Sequence, residues 1–293
     1  VTVGARPALV DTGAIRLSGI CAAPSGDARG LILALHGGSY SAGYWDCPSP
    51  GASLLELGAA LGFHILAVDR PGYGASHDHD PARLHLVDQV EFLFGALDAY
   101  RASIGFAGPR FVIGHSIGGI LALLMAAHRR GAELVAVDVL GVPVRFPDTA
   151  AGAEVNSWTT EGTHVAAVDE TQRRWLLFGP DGSYDQDAYD YDATLPRPMP
   201  VAEYRDALAI PARWPEILPA IRIPVQFTLA EHEVMQATGP EALAEISAML
   251  SGSAHPMTFL QRGTGHNASI HRIARAYHLR ALSFFEESLA LRR

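Results

Sequence analysis

The chain has 293 residues, 48% of them hydrophobic and 18% charged, which excludes an intrinsically disordered chain and suits one large domain or two small ones. With 22 basic and 31 acidic residues the net charge is −9, so the average face repels phosphate backbones and anionic lipid, and neither nucleic acid nor membrane is expected as a partner. Every basic residue is arginine; without any lysine, Schiff-base and pyridoxal-phosphate chemistry and a Walker phosphate loop are excluded.

In chain order, a hairpin around Asp11-Thr12-Gly13 joins two opening strands, and further strands are predicted at Leu31 to His36, His64 to Asp69, Phe111 to His115, Leu134 to Asp138, Val225 to Leu229 and Met257 to Leu260. Helices are predicted at Ser53 to Leu61, Ala82 to Ile104, Ile117 to Arg130, Pro240 to Leu250 and Ala268 to Leu291. Short Val/Ile/Leu runs alternating with helix-length stretches are the pattern of parallel strands covered on both faces, so the class is α/β. Cys21 and Cys47 match no disulfide framework or thiolate metal site. The N-terminus lacks a basic start followed by an apolar core, and the longest apolar run, Ile117 to Ala127, falls well short of the roughly 20 residues of a membrane span. A cytoplasmic protein, monomeric or homodimeric, is expected.

The interval between Leu140 and Pro224 far exceeds the roughly 10 to 12 residues of a minimal crossover. It is rich in aromatic residues, among them Trp158, Trp175, Tyr204 and Trp214, and lacks a clear strand. Residues 143–220 therefore read as an insertion of short helices packed over the sheet edge, with 1–142 and 221–293 forming the core domain.

Gly114-His115-Ser116-Ile117-Gly118-Gly119 is a GxSxG motif between a predicted strand and a predicted helix. A serine on so sharp a turn needs neighbours without Cβ two residues before and after it. The turn sets Ser116 at the positive end of the helix and leaves the Ile117 N–H free to donate to an oxyanion. Upstream, His36-Gly37-Gly38-Ser39-Tyr40 follows a strand, and the N–H of Gly38 is the expected second oxyanion donor. Asp69-Arg70-Pro71-Gly72-Tyr73-Gly74 is read as a structural turn.

A nucleophilic serine needs a base and an orienting acid. His266, in Gly263-Thr264-Gly265-His266 after the last strand, is the expected base; His271 is read as helical and exposed, and His115 and His36 as shaping the site. Glu233, past the strand PVQFTL, is preferred as the acid to Asp138, with the choice open. The cluster His77-Asp78-His79-Asp80 has the composition of a metal site but not its spacing, and no metal or other cofactor is expected. Ser39, Tyr40, Trp45, His115, Trp158 and Trp175 are expected to contact substrate in a broad apolar pocket.

These motifs, HGG, DRPGYGAS, GHSIGG and GTGH with an acid before it, resemble the lid-bearing members of the α/β-hydrolase superfamily across nearly the whole chain. The resemblance implies an eight-stranded, mostly parallel sheet with an antiparallel second strand and a helical lid after the sixth. It also implies a triad in the order Ser116, Glu233, His266. Ala230 and Glu233 depart from the Gly and Asp common in that acid loop. The implied function is hydrolysis of an ester or thioester of a bulky, largely apolar small molecule through an acyl-enzyme. Acyl transfer to an alcohol or amine, including cyclisation, carbon–carbon cleavage with the same triad, and a small-molecule receptor are the competing readings.

Overall fold

The computed structural model describes residues 4–76, 79–158 and 160–292; His77 and Asp78 of the histidine–aspartate cluster lie outside them. Arg6–Asp11 (β1) and Arg16–Ala22 (β2) pair antiparallel across a turn in which the Asp11 carboxylate accepts the Gly13 N–H at 2.8 Å. There follow Gly30–Leu35 (β3), Leu54–Ala60 (α1), Phe63–Val68 (β4), Leu86–Ser103 (α2), Arg110–His115 (β5), Ile117–Ala127 (α3) and Ala136–Leu140 (β6). After a long excursion the chain returns to the sheet as Val225–Ala230 (β10).

The excursion holds Ala150–Asn156 (α4), Thr160–Glu161 (β7), His164–Val165 (β8), a π-helical turn at Arg173–Leu177, Gln186–Asp192 (α5), Met199–Pro200 (β9) and Val201–Ala209 (α6). No clear strand is expected here from the sequence, whereas β7, β8 and β9 form a small antiparallel sheet. Each is two residues long, too short for an alternating pattern to register. The chain ends with Pro240–Met249 (α7), Pro256–Gln261 (β11) and Ala274–Leu291 (α8).

The main sheet runs β1-β2-β4-β3-β5-β6-β10-β11, with β2 antiparallel to both neighbours and the pairs from β4 to β11 parallel. This is the α/β-hydrolase arrangement expected from the sequence. Strands β3, β5, β6 and β10 are buried at every position because helices cover both faces. Leu31, Leu33 and Leu35 pack with residues of α2 and α3, while Ile32 and Ala34 pack with residues of α1 and α8. All the strand-to-helix turns that matter for the site therefore emerge at one edge of the sheet.

Three helix boundaries shift. Asp80 caps a short 3₁₀ turn at Pro81–Arg83, and α2 starts only after His85, whose ψ of 148° is extended. The extended His128 ends α3 before Arg130. His271, at ψ 164°, separates a 3₁₀ turn at Ala268–Ile270 from α8. Cys21 and Cys47 are free and buried. No helix among the described residues is long and apolar enough to cross a membrane.

Candidate active site

Ser116 sits between β5 and α3 at φ 53°, ψ −120°, and it and Ser39 are the two non-glycine residues with positive φ among those described. Such a conformation costs about 1–3 kcal/mol and persists only where its surroundings impose it. Here they do. A Cβ on Gly114 would stand 2.3 Å from the Gly118 carbonyl oxygen, and one on Gly118 would stand 2.2 Å from that of Leu35. The Ser116 N–H donates to Leu140 O on β6 at 2.8 Å, which fixes the elbow to the sheet. Ile117, as the first residue of α3, has an N–H with no partner inside the helix.

His266 lies between β11 and α8. Its Nδ1 is 2.5 Å from Glu233 Oε2, and both side chains are buried. The second Glu233 oxygen accepts the N–H groups of Val234 and Met235, each at 3.0 Å, and Gln236 Nε2 donates to Oε2 at 3.1 Å. Burial raises the Glu233 pKa, but the charge and hydrogen bond of His266, with those from Gln236 and Met235, outweigh it and hold the carboxyl below its ordinary value. An ionised Glu233 keeps the proton on Nδ1 and leaves Nε2 as the basic ring nitrogen. The neighbouring Glu231 points elsewhere: its carboxylate accepts the Gly263 N–H at 2.8 Å and braces the histidine loop.

Asp138, the competing acid, is fully buried on β6, where Gln226 Nε2 at 2.5 Å and Tyr277 Oη at 2.9 Å donate to it. Burial pushes its carboxyl up to about 6 against those two bonds. It pairs with α8 beneath the sheet and not with His266.

His115 Nε2 donates to the His266 carbonyl oxygen at 2.9 Å, and its ring stacks on Tyr44 with centroids 4.4 Å apart. Burial, then the nearby His266, holds His115 well below its ordinary pKa, so the ring is neutral. His271, read from sequence as helical and exposed, is instead 2% exposed, and its Nε2 accepts N–H bonds from Gly179 and Gly265 at 3.0 and 3.3 Å. The close approach of Gly179 to Gly265 buries it: a Cβ on Gly265 would meet Gly179 N at 2.5 Å.

The loop 36–40 is held by Arg70 together with groups from the excursion. Arg70, fully buried, donates through Nε to His36 O at 2.9 Å and through Nη2 to Gly37 O at 3.2 Å, and forms a two-bond pair with Glu203 of α6 at 2.5 and 2.9 Å. Tyr73 Oη and Gln89 Nε2 also donate to Glu203, at 2.6 and 2.9 Å. The Arg197 N–H donates to Ser39 O at 2.9 Å. Tyr40 Oη donates to Asp192 at 2.9 Å, joined there by Arg173 at 2.6 Å and Asn267 at 3.1 Å. Burial pushes Asp192 up to about 6, against the bonds from Arg173, Tyr40 and Asn267.

One cavity of about 700 Å³, counted out to its open mouth, is bordered by Gly37, Gly38, Tyr40, His115, Ser116, Ile117, Trp158 and His266. Phe146, Val155, Met199, Leu208 and Met235 contribute much of its apolar wall. A Cβ on Gly38 would stand 2.7 Å from Met199 Sδ and 2.8 Å from Ile117 Cδ1, so the two expected donor residues adjoin. Three expected contacts lie elsewhere. Trp45 is fully buried against Tyr44 and near His278, Trp175 projects outward at 43% exposed, and Ser39 turns into the protein at 1% exposed, beside Tyr73. Gln236, Asn267, Phe146 and Met199 were not anticipated. For Asn267 the adjacent His266 was an available signal; for the others there was none. Among the described residues no group of three or more His, Cys, Asp or Glu is placed to hold a metal ion.

The sequence pattern of the alpha/beta hydrolase family matches residues 32–283. A monoacylglycerol lipase of Mycolicibacterium smegmatis is 30% identical over 131 residues, a stretch covering 43% of this chain and 42% of that lipase, well under two thirds of its length. Among solved structures, a thermostable carboxyl esterase from Bacillus coagulans superposes with a TM-score of 0.70 at 18% identity, covering 98% of this chain and 100% of the esterase. A thioesterase domain from the curacin biosynthetic pathway gives 0.64 at 17% identity, covering 95% and 99%. At such identities the structural likeness speaks for the fold alone.

Proposed function

The chain belongs to the alpha/beta hydrolase family, and on that premise we propose that it is a serine hydrolase of the lipase and esterase kind. Its substrate is an ester or thioester of a small, largely apolar molecule. The observation that carries this reading is that Ser116 and His266 border one apolar cavity while Glu233 occupies the other nitrogen of the imidazole.

His266 Nε2 takes the hydroxyl proton of Ser116 as the oxygen attacks the carbonyl carbon. The N–H groups of Gly38 and Ile117 receive the oxyanion of the tetrahedral intermediate, and each such donor contributes about 2.7–4 kcal/mol in a comparable site. The imidazolium, stabilised by ionised Glu233, then returns the proton to the leaving alcohol or thiol. Water, deprotonated by the same ring, attacks the acyl-Ser116 and releases the acid. Residues 143–220 act as a lid whose Phe146, Val155, Trp158 and Leu208 form the acyl wall over Ser116.

The similarity of 43% of this chain to a monoacylglycerol lipase supports acyl-ester chemistry. The test is turnover of a p-nitrophenyl alkanoate by the purified protein and by Ser116→Ala. Hydrolysis by the first and its loss in the second are expected; equal rates would overturn the assignment.

A further inference from the structure

The peptide plane between Gly37 and Gly38 is fixed from its carbonyl side. His36 Nδ1 donates to Gly37 O at 2.7 Å, since its Nε2 accepts the Arg70 N–H at 3.1 Å and the proton therefore sits on Nδ1. Arg70 Nη2 grips the same oxygen. In a trans peptide the C=O and N–H point in opposite directions, so holding Gly37 O determines where the Gly38 N–H aims.

Arg70 is itself held by Glu203. The two are fully buried, and the guanidinium that reaches both His36 O and Gly37 O is locked by a two-bond contact with a carboxylate on α6, 133 residues further along the chain. Tyr73, which donates to the same carboxylate, accepts the Ser39 N–H at a long 3.4 Å. A second carboxylate of the excursion, Asp192, accepts from Tyr40 at the end of the loop. Thus the covering segment contacts the loop directly at Ser39 and Tyr40 and, through Arg70, braces His36 and Gly37.

We propose that Glu203 is a positioning residue for the oxyanion hole: by fixing Arg70 it sets the peptide plane that aims the Gly38 N–H, so the lid is part of the scaffold of the hole as well as its cover. This rests on the serine-hydrolase reading.

The test separates positioning from mere structure. Replacing both members of a buried ion pair avoids the lone buried charge that a single truncation leaves, so Arg70→Met combined with Glu203→Met should fold, and its melting temperature is measured alongside. Kinetics are measured with p-nitrophenyl butyrate and expressed per active site, counted by organophosphonate labelling run to completion. The expected result is a kcat lowered on the order of tenfold to a hundredfold with KM changed by less than about threefold, since an oxyanion donor acts in the transition state. Recovery of wild-type kcat along with stability would overturn the proposal. Should the double variant fail to fold, Glu203→Gln provides the same reading: kcat per titrated site falls about tenfold, or its constancy overturns the proposal. Unchanged kcat with full Ser116 labelling leaves the hydrolase reading intact, whereas absence of labelling in the wild type removes both.

Discussion

Glu233 Oε2 stands 2.5 Å from His266 Nδ1, whereas Asp138, one strand nearer the serine in the sheet, bonds to Gln226 and Tyr277. The carboxylate paired with His266, the base of the proposed mechanism, is therefore the one further along the chain. Glu233→Gln is expected to lower kcat by about 10²- to 10⁴-fold with the fold retained, by removing the group that fixes the ring tautomer. Asp138→Asn is expected to leave turnover near wild type. Steady-state kinetics of the two variants decide it, and a collapse in the second alone would assign the acid to Asp138.

Asp138 also makes a prediction about stability. Its carboxyl is pushed up to about 6 by burial, above its ordinary 3.8, so the folded protein holds that proton more tightly than the unfolded chain. Its contribution is full below about pH 4 and lost as pH rises through 6. Asp138→Asn should thus be more stable than wild type at pH 8, by about 2–3 kcal/mol, with the advantage vanishing near pH 4. Glu233 works in the opposite sense: with its pKa depressed, its contribution is present above the ordinary carboxylate range and fades as pH falls below it. Urea unfolding across pH measures both, and a pH-independent gain in Asp138→Asn would contradict the first.

The serine elbow has no room for a methyl group. Gly114→Ala and Gly118→Ala each force a Cβ to within 2.3 Å of backbone oxygen that cannot yield without moving β3 or α3. Each is expected to destabilise the fold by at least about 1–3 kcal/mol and to abolish labelling of Ser116. Gly105→Ala is the contrast, since nothing lies within 4 Å of its Cβ; the φ of 64° still makes it mildly unfavourable, but activity should persist. Thermal unfolding with parallel activity measurement checks the three.

Ala207 of α6 borders the cavity with little exposure. Ala207→Phe should fill part of the space and reduce kcat/KM for octanoate esters about tenfold more than for acetate esters, a loss equivalent to roughly 1–2 kcal/mol of displaced apolar contact. A chain-length series of p-nitrophenyl esters reads the shift. An equal loss at every length would place the acyl chain elsewhere.

The sequence was most informative where chemistry and backbone geometry coincide. The glycines around Ser116 are dictated by contacts of 2.2 and 2.3 Å, and such a requirement leaves its mark in a motif. The strands buried on both faces were equally visible as unbroken apolar runs. Irregular segments were not. Trp45 and Trp175 were both assigned to the pocket on residue type, yet tertiary packing buries one entirely and turns the other outward. The Arg70–Glu203 pair joins residues too far apart in sequence for any local pattern to link them. His271 is buried by a glycine approach from the excursion, a contact between segments that periodicity does not encode.

The most direct measurement is the intact mass of the protein after reaction with an organophosphonate, with the modified peptide located by fragmentation. One adduct on Ser116 is expected in the wild type, none in Ser116→Ala, and strongly slowed labelling in His266→Ala. An adduct that persists in Ser116→Ala, or a wild type that takes up none, would contradict the account.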